Sequence, residues 1–140
     1  MKNIKFGRVI LGGLLAGLII NAGEYLLNVV LLGREWDSLM TSLNRPVVGG
    51  MGIVMFNIAT FLFAIAMVLL YTKLRPQFQS WKKSAFKAAF FAWFFAYVIG
   101  FGWSYIMTIF TAQIYFTTLI WSLFEVSLAS LAGAWVYKRG

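Results

Sequence analysis

Residues 9–32 read VILGGLLAGLIINAGEYLLNVVLL, with Glu24 the one charge in the run. A helix needs about 20 apolar residues to cross about 30 Å of hydrocarbon, so this stretch is long enough to span a membrane. Lys2, Lys5 and Arg8 precede it, as basic residues precede the apolar core of a signal peptide. That core usually runs only about 7–15 residues, so the stretch is expected to be a retained helix.

Three further stretches of the same kind follow, at residues 47–70, about 85–110 and about 114–137. No proline, glycine or charge marks the turn between the last two; threonines and Gln113 cluster at residues 108–118 and locate it there. Composition agrees. The chain is 61% hydrophobic and 11% charged, against about 45–50% and about 25% for a soluble domain. A water-soluble globule of 140 residues leaves much of its surface exposed and has nowhere to put so much apolar area. The fold class is therefore all-α, a four-helix transmembrane bundle forming one domain over residues 1–140.

Basic residues set the orientation. Lys2, Lys5 and Arg8 precede the first span, Lys73, Arg75, Lys82, Lys83 and Lys87 surround the connection between the second and third, and Lys138 and Arg139 follow the fourth. That is ten of the twelve basic residues on one side, with Arg34 and Arg45 on the other beside Glu35 and Asp37. The positive-inside rule then puts both termini in the cytoplasm. This placement also explains the net charge of +8 without nucleic acid as a partner, because the charges flank spans instead of lining one groove-facing element.

In the outer loop, Trp36, Leu39, Met40 and Leu43 recur at the spacing of one helical face, stopped by Asn44, Arg45 and Pro46. A short interfacial helix anchored by Trp36 is expected. Gly49, Gly50 and Gly52 read as a flexible entry to the second span. The third span is crowded with aromatics, through which Ala88, Ala92, Ala96 and Gly100 run at intervals of four. Small residues on one face allow a neighbouring helix to approach closely.

The polar residues inside the spans carry any chemistry. In the first span Gly13, Gly17, Asn21, Glu24 and Asn28 form one stripe, and Gly13 with Gly17 makes a G-x-x-x-G packing motif. In the fourth, Thr118, Ser122, Glu125, Ala129 and Ala132 form another. At about 1.5 Å per residue, Asn21, Glu24 and Glu125 all lie roughly 12–18 Å below the outer ends of their helices. Asn57 of the second span lies at similar depth, so these groups can share one layer. Apart from Lys87, at the edge of the third span, no Lys, Arg or His lies within the spans to pair with Glu24 or Glu125. A lone carboxylate in hydrocarbon is disfavoured by several kcal/mol or more, so at least one of the two is expected to be protonated or to hold a cation. Infrared difference spectroscopy reads this directly, and two fully ionised carboxylates would contradict it. Intramembrane ionisable residues are functional sites by default; hydrogen bonds that fix helix register are the plainer reading for the asparagines.

With no cysteine and no histidine, disulfides, thiol catalysis and ordinary zinc sites are excluded. There is no phosphate loop and no G-x-S-x-G. No catalytic or metal-binding residue is assigned, and no cofactor is named by the residues.

Residues 12–24 (GGLLAGLIINAGE), 121–126 (WSLFEV) and 131–135 (LAGAW) together resemble a group of small bacterial four-helix membrane proteins of unassigned activity. The resemblance covers most of the chain. It implies a multi-pass protein of the bacterial inner membrane and no particular activity. Small multidrug-resistance transporters also have four helices and a Glu in the first, but this chain is longer and its surrounding residues depart from their pattern. Two functions are expected from these observations. One is a non-catalytic accessory or structural subunit, or a scaffold for lipid, quinone or pigment, with the bilayer and other membrane subunits or further copies of itself as partners. The other is a small proton- or cation-coupled transporter or channel built on Glu24 and Glu125.

Overall fold

The computed structural model describes residues 4–139, so Lys2 of the basic N-terminal group lies outside the described residues. Among the described residues there is no strand. Four helices are long and apolar enough to cross a membrane: α1 (Phe6–Leu31), α3 (Gly50–Gln77), α4 (Trp81–Ile106) and α5 (Ala112–Lys138). Between the first two lies a short helix, α2 (Gly33–Ser42), where the spacing of Trp36, Leu39 and Met40 indicated one.

At the ends that carry the basic residues, the helices run past the apolar stretches that announce them; at the opposite ends α3 begins later, at Gly50, and α4 stops earlier, at Ile106. Helix α4 starts at Trp81, four residues before the apolar stretch that marks it, because Lys82, Lys83 and Lys87 lie in its opening turns. Long aliphatic stems let such side chains lie along apolar surface while their charges reach water. Helix α3 continues to Leu74 and ends in a 3-10 turn, Arg75–Gln77, at Pro76. The connection between α4 and α5 is the short stretch 107–111. Thr111 caps α5, its side-chain oxygen accepting from the Ile114 N–H at 3.3 Å.

Two non-glycine residues with positive φ close helix ends. Asn44 (φ 52) follows α2, with the Arg45 N–H donating to the Met40 carbonyl at 2.9 Å. Thr108 (φ 58) follows α4, with the Ile109 N–H donating to the Ser104 carbonyl at 2.9 Å. Both bonds span six residues and satisfy carbonyls that a helix end leaves free. Gly50 enters α3 at φ +35, a conformation glycine adopts without strain.

Helix α1 packs between α3 and α5, and α4 closes the other side against the same two helices. Small residues set the spacing. A Cβ on Gly12 would lie 2.6 Å from the Gly133 carbonyl oxygen, and one on Gly133 would lie 2.9 Å from the Gly12 oxygen, so the α1 and α5 backbones touch. The adjacent edge of α1 meets α3: a Cβ on Gly13 would strike Ile65, its Cα at 2.6 Å, and one on Gly17 the Phe61 ring, its Cε1 at 2.8 Å. Ala85, Ala88 and Ala89 of α4 are fully buried, and Ser130 of α5 donates to the Ala85 carbonyl at 2.8 Å.

One stretch each of α1 and α4 is not α-helical. Leu26–Leu31 and Phe94–Phe101 are wound as π-helix, whose i→i+5 bonds bring a face round after more residues than an α turn. Of the alanine–glycine line of the third span, Ala88 is buried and Ala92 and Ala96 pack in part against the core, while Gly100 turns away. The inward positions run Ala85, Ala88 and Ala89, then Tyr97, then Gly102. Ala92 and Ala96 are half-buried, and Gly100 is exposed, with only the Phe95 carbonyl of its own helix near the place a Cβ would take.

Candidate functional site, a pair of carboxyls between α1, α4 and α5

Gly23 makes room for the site. It sits on α1 where a Cβ would land on the Glu125 carboxyl, with Cδ at 2.7 Å. The absent side chain admits the Glu125 head against the α1 backbone. Glu125 comes from the middle of α5 and is only 8% exposed, on a face with fully buried Ser122 and Thr118. Trp121, one turn earlier, donates its Nε1–H to Glu125 Oε2 at 2.8 Å.

Glu24 follows Gly23, so its carboxyl neighbours that of Glu125. Its Oε1 accepts from the Tyr97 hydroxyl at 2.9 Å, which crosses the bundle from the π stretch of α4. Its Oε2 accepts from Asn28 Nδ2 at 2.6 Å, and Asn28 Oδ1 in turn accepts from Trp36 Nε1 at 2.9 Å. A continuous line of side chains therefore leads from Glu125 in mid-bundle, through Glu24 and Asn28, to Trp36 of α2. Trp36 points into this line and packs edge-on against Phe110 at 5.3 Å. At the outer end, Gln113 Nε2 of α5 donates to Glu35 Oε1 of α2 at 2.9 Å.

The structure thus brings Glu24, Asn28 and Glu125 together. Ser122 lies one turn outward of Glu125 and accepts from Trp93 Nε1 at 3.1 Å, joining α5 to α4. Asn57 is not drawn in. The Gly13–Ile65 and Gly17–Phe61 register, continued one turn, sets it level with Asn21, but its Nδ2 donates to the Ile53 carbonyl of its own helix at 2.8 Å. Among the described residues, three buried polar atoms have no partner: Asn21 Nδ2, Thr118 Oγ1 and Glu125 Oε1.

Sequence reasoning missed Gly23, Tyr97 and Trp121. Trp121 was within reach, because it stands four residues from Glu125 and so on the same helical face. Gly23 carried a signal too: Gly12, Ala16 and Gly23 follow at steps of four and seven, a second small edge beside Gly13 and Gly17. Tyr97 had none, being one of the eleven aromatics of α4.

Chemically, the pair is two carboxyls in contact, met by three neutral donors, with one buried oxygen left over. Two carboxylates side by side repel each other, and a proton or cation between them relieves the repulsion. Among the described residues no group of three or more His, Cys, Asp or Glu side chains is placed to hold a metal ion. Set against family models, curated proteins and solved structures, the chain matches none, so the site is read from its own chemistry.

Proposed function

We propose that the chain is a non-catalytic multi-pass protein of the bacterial cytoplasmic membrane, an accessory or scaffold subunit. The observation that carries this reading is that the donors of the polar layer turn inward onto its own carboxyls. Tyr97, Asn28 and Trp121 spend their donors on Glu24 and Glu125 inside the bundle; the Tyr97 bond joins α4 to α1, and the bond from Trp93 to Ser122 joins α4 to α5. Outside the layer the helices are broadly apolar. Only 17% of the most apolar window of α3 is buried, against 39% for α5. Lipid and neighbouring membrane subunits, or further copies of the chain, cover such a face. The bacterial membrane is proposed on the resemblance of residues 12–24 and 121–135 to small bacterial four-helix proteins.

Both termini are proposed to lie in the cytoplasm, in accord with the crowding of basic residues at that end. Helix α2 then lies at the outer interface, its Leu39 buried and its Arg34 and Asp37 exposed. Purification from native membrane in mild detergent tests the subunit reading. A partner present in fixed ratio is expected; a lone monomer overturns it.

One observation favours a second reading, proton- or cation-coupled transport. Glu125 Oε1 is buried without a partner, beside the Glu24 carboxyl, and that vacancy fits a transported ion. Liposome flux separates the two. Transport requires flux by the native protein that is lost in Glu24→Gln and Glu125→Gln, and flux equal in all three removes it.

A further inference from the structure

The cytoplasmic end of the bundle gathers nine basic residues among those described, while all four acidic residues of the chain, Glu24, Glu35, Asp37 and Glu125, lie elsewhere. The charges converge most closely at Trp81. Lys82 Nζ lies 5.9 Å and Lys138 Nζ 5.1 Å from the centroid of its ring, so cations from α4 and α5 crowd a single indole. The edge-on contact of Tyr71 with Tyr137, at 6.0 Å, brings the end of α3 to the end of α5 that carries Lys138. Attraction to a ring face offsets part of the repulsion between two ammonium groups, and an anion would neutralise the rest.

A lane of apolar side chains leads away from this corner. Lys82, Phe86, Phe90 and Phe94 follow at intervals of four, so they lie along one side of α4. Phe86 and Phe90 are 50% and 49% exposed, and the Phe90 and Phe94 rings stack at 6.1 Å. The corner therefore offers cations at the membrane surface, an indole at the boundary, and a greasy track running into the hydrocarbon.

We propose that this corner binds an anionic phospholipid, its phosphate held between Lys82 and Lys138 and one acyl chain lying along Phe86 and Phe90. The proposal rests on the membrane-spanning reading above. A free phosphate would use the two lysines but not the aromatic lane, and that difference separates the two sources.

The test places the protein in nanodiscs of phosphatidylcholine alone and of equimolar phosphatidylcholine and phosphatidylglycerol. Native mass spectrometry then reads which lipids stay bound on release. Phosphatidylglycerol is expected to be retained in preference. Lys82→Gln with Lys138→Gln should lower that preference about thirtyfold, since each basic residue near a membrane surface contributes about fivefold. Arg34→Gln with Arg45→Gln, at the opposite end, should leave it unchanged. Phe86→Ser keeps every charge and interrupts the lane, so it too should lower retention. Equal retention of both lipids overturns the proposal. So does a preference that survives the lysine changes, or displacement by inorganic phosphate with Phe86→Ser without effect. Failure of the native protein to enter nanodiscs would remove the membrane reading as well; entry without lipid preference removes the lipid site alone.

Discussion

At the scale of single residues, Glu24 and Glu125 are governed by what their neighbours lack as much as by what they donate. Tyr97→Phe removes the hydroxyl that meets Glu24 Oε1. Hydrogen bonds inside membranes average about 0.6 kcal/mol and reach about 1.7, so a loss of about 1 kcal/mol is expected on unfolding in detergent, followed by circular dichroism. Gly23→Ala acts differently, by placing a methyl where the Glu125 carboxyl sits. Overpacking of this kind costs about 1–3 kcal/mol. Glu125→Ala clears the space, so in the double variant the cost of Gly23→Ala should vanish; additive losses would show that the two do not touch. The Glu24–Asn28 contact was legible in the sequence, because residues four apart on a helix meet. The Glu24–Tyr97 contact was not, because it joins residues 73 apart in the chain and depends on how α4 is wound.

At the scale of elements, the long helices were plain from composition, since hydrocarbon forces backbone groups to bond within their own segment. Their phase was not. The expected line Ala88, Ala92, Ala96, Gly100 assumed α-helical turns throughout, and the π stretch Phe94–Phe101 carries the inward face to Tyr97 and Gly102 instead. Tyr115 supports this stretch, its hydroxyl donating to the Val98 carbonyl at 3.0 Å. Glycines test how closely elements approach. Gly133→Ala would push a methyl to 2.6 Å from Val68 Cγ2 and 2.9 Å from the Gly12 carbonyl, and a loss of about 1–3 kcal/mol is expected. Gly7, at the start of α1, has nothing within 4 Å of a Cβ, and Gly7→Ala should be neutral or stabilising by up to about 1 kcal/mol. Equal melting temperatures for the two variants would contradict the close crossing of α1 and α5. Thr108 holds φ 58 at the α4–α5 turn, a region where a side chain costs about 1–2 kcal/mol. Thr108→Gly should raise the melting temperature even though it removes atoms.

At the scale of the whole molecule, the prediction concerns sidedness. The chain has no cysteine, so single cysteines report without background. Val47→Cys lies in the stretch before α3, and Gln79→Cys in the exposed stretch between α3 and α4. With both termini inside, an impermeant maleimide should label Val47→Cys in intact cells and Gln79→Cys only after permeabilisation. The reverse pattern would invert the bundle and move the basic corner to the outside.

The crossing between Glu24 on α1 and its partners on α4 and α5 also bears on how the protein is made. Helix α1 leaves the ribosome first, with a carboxyl in mid-span. Its tyrosine lies 73 residues later in the chain, and Trp121 and Glu125 follow later still. At roughly 5–20 residues per second, α1 waits about 4–15 s before the first of them is synthesised. During that interval its glycine edges and its carboxyl face lipid or the insertion machinery. Of these four helices, the one that emerges latest thus completes the one that emerges earliest, and α1 stands without Glu125 beside it until α5 has been made.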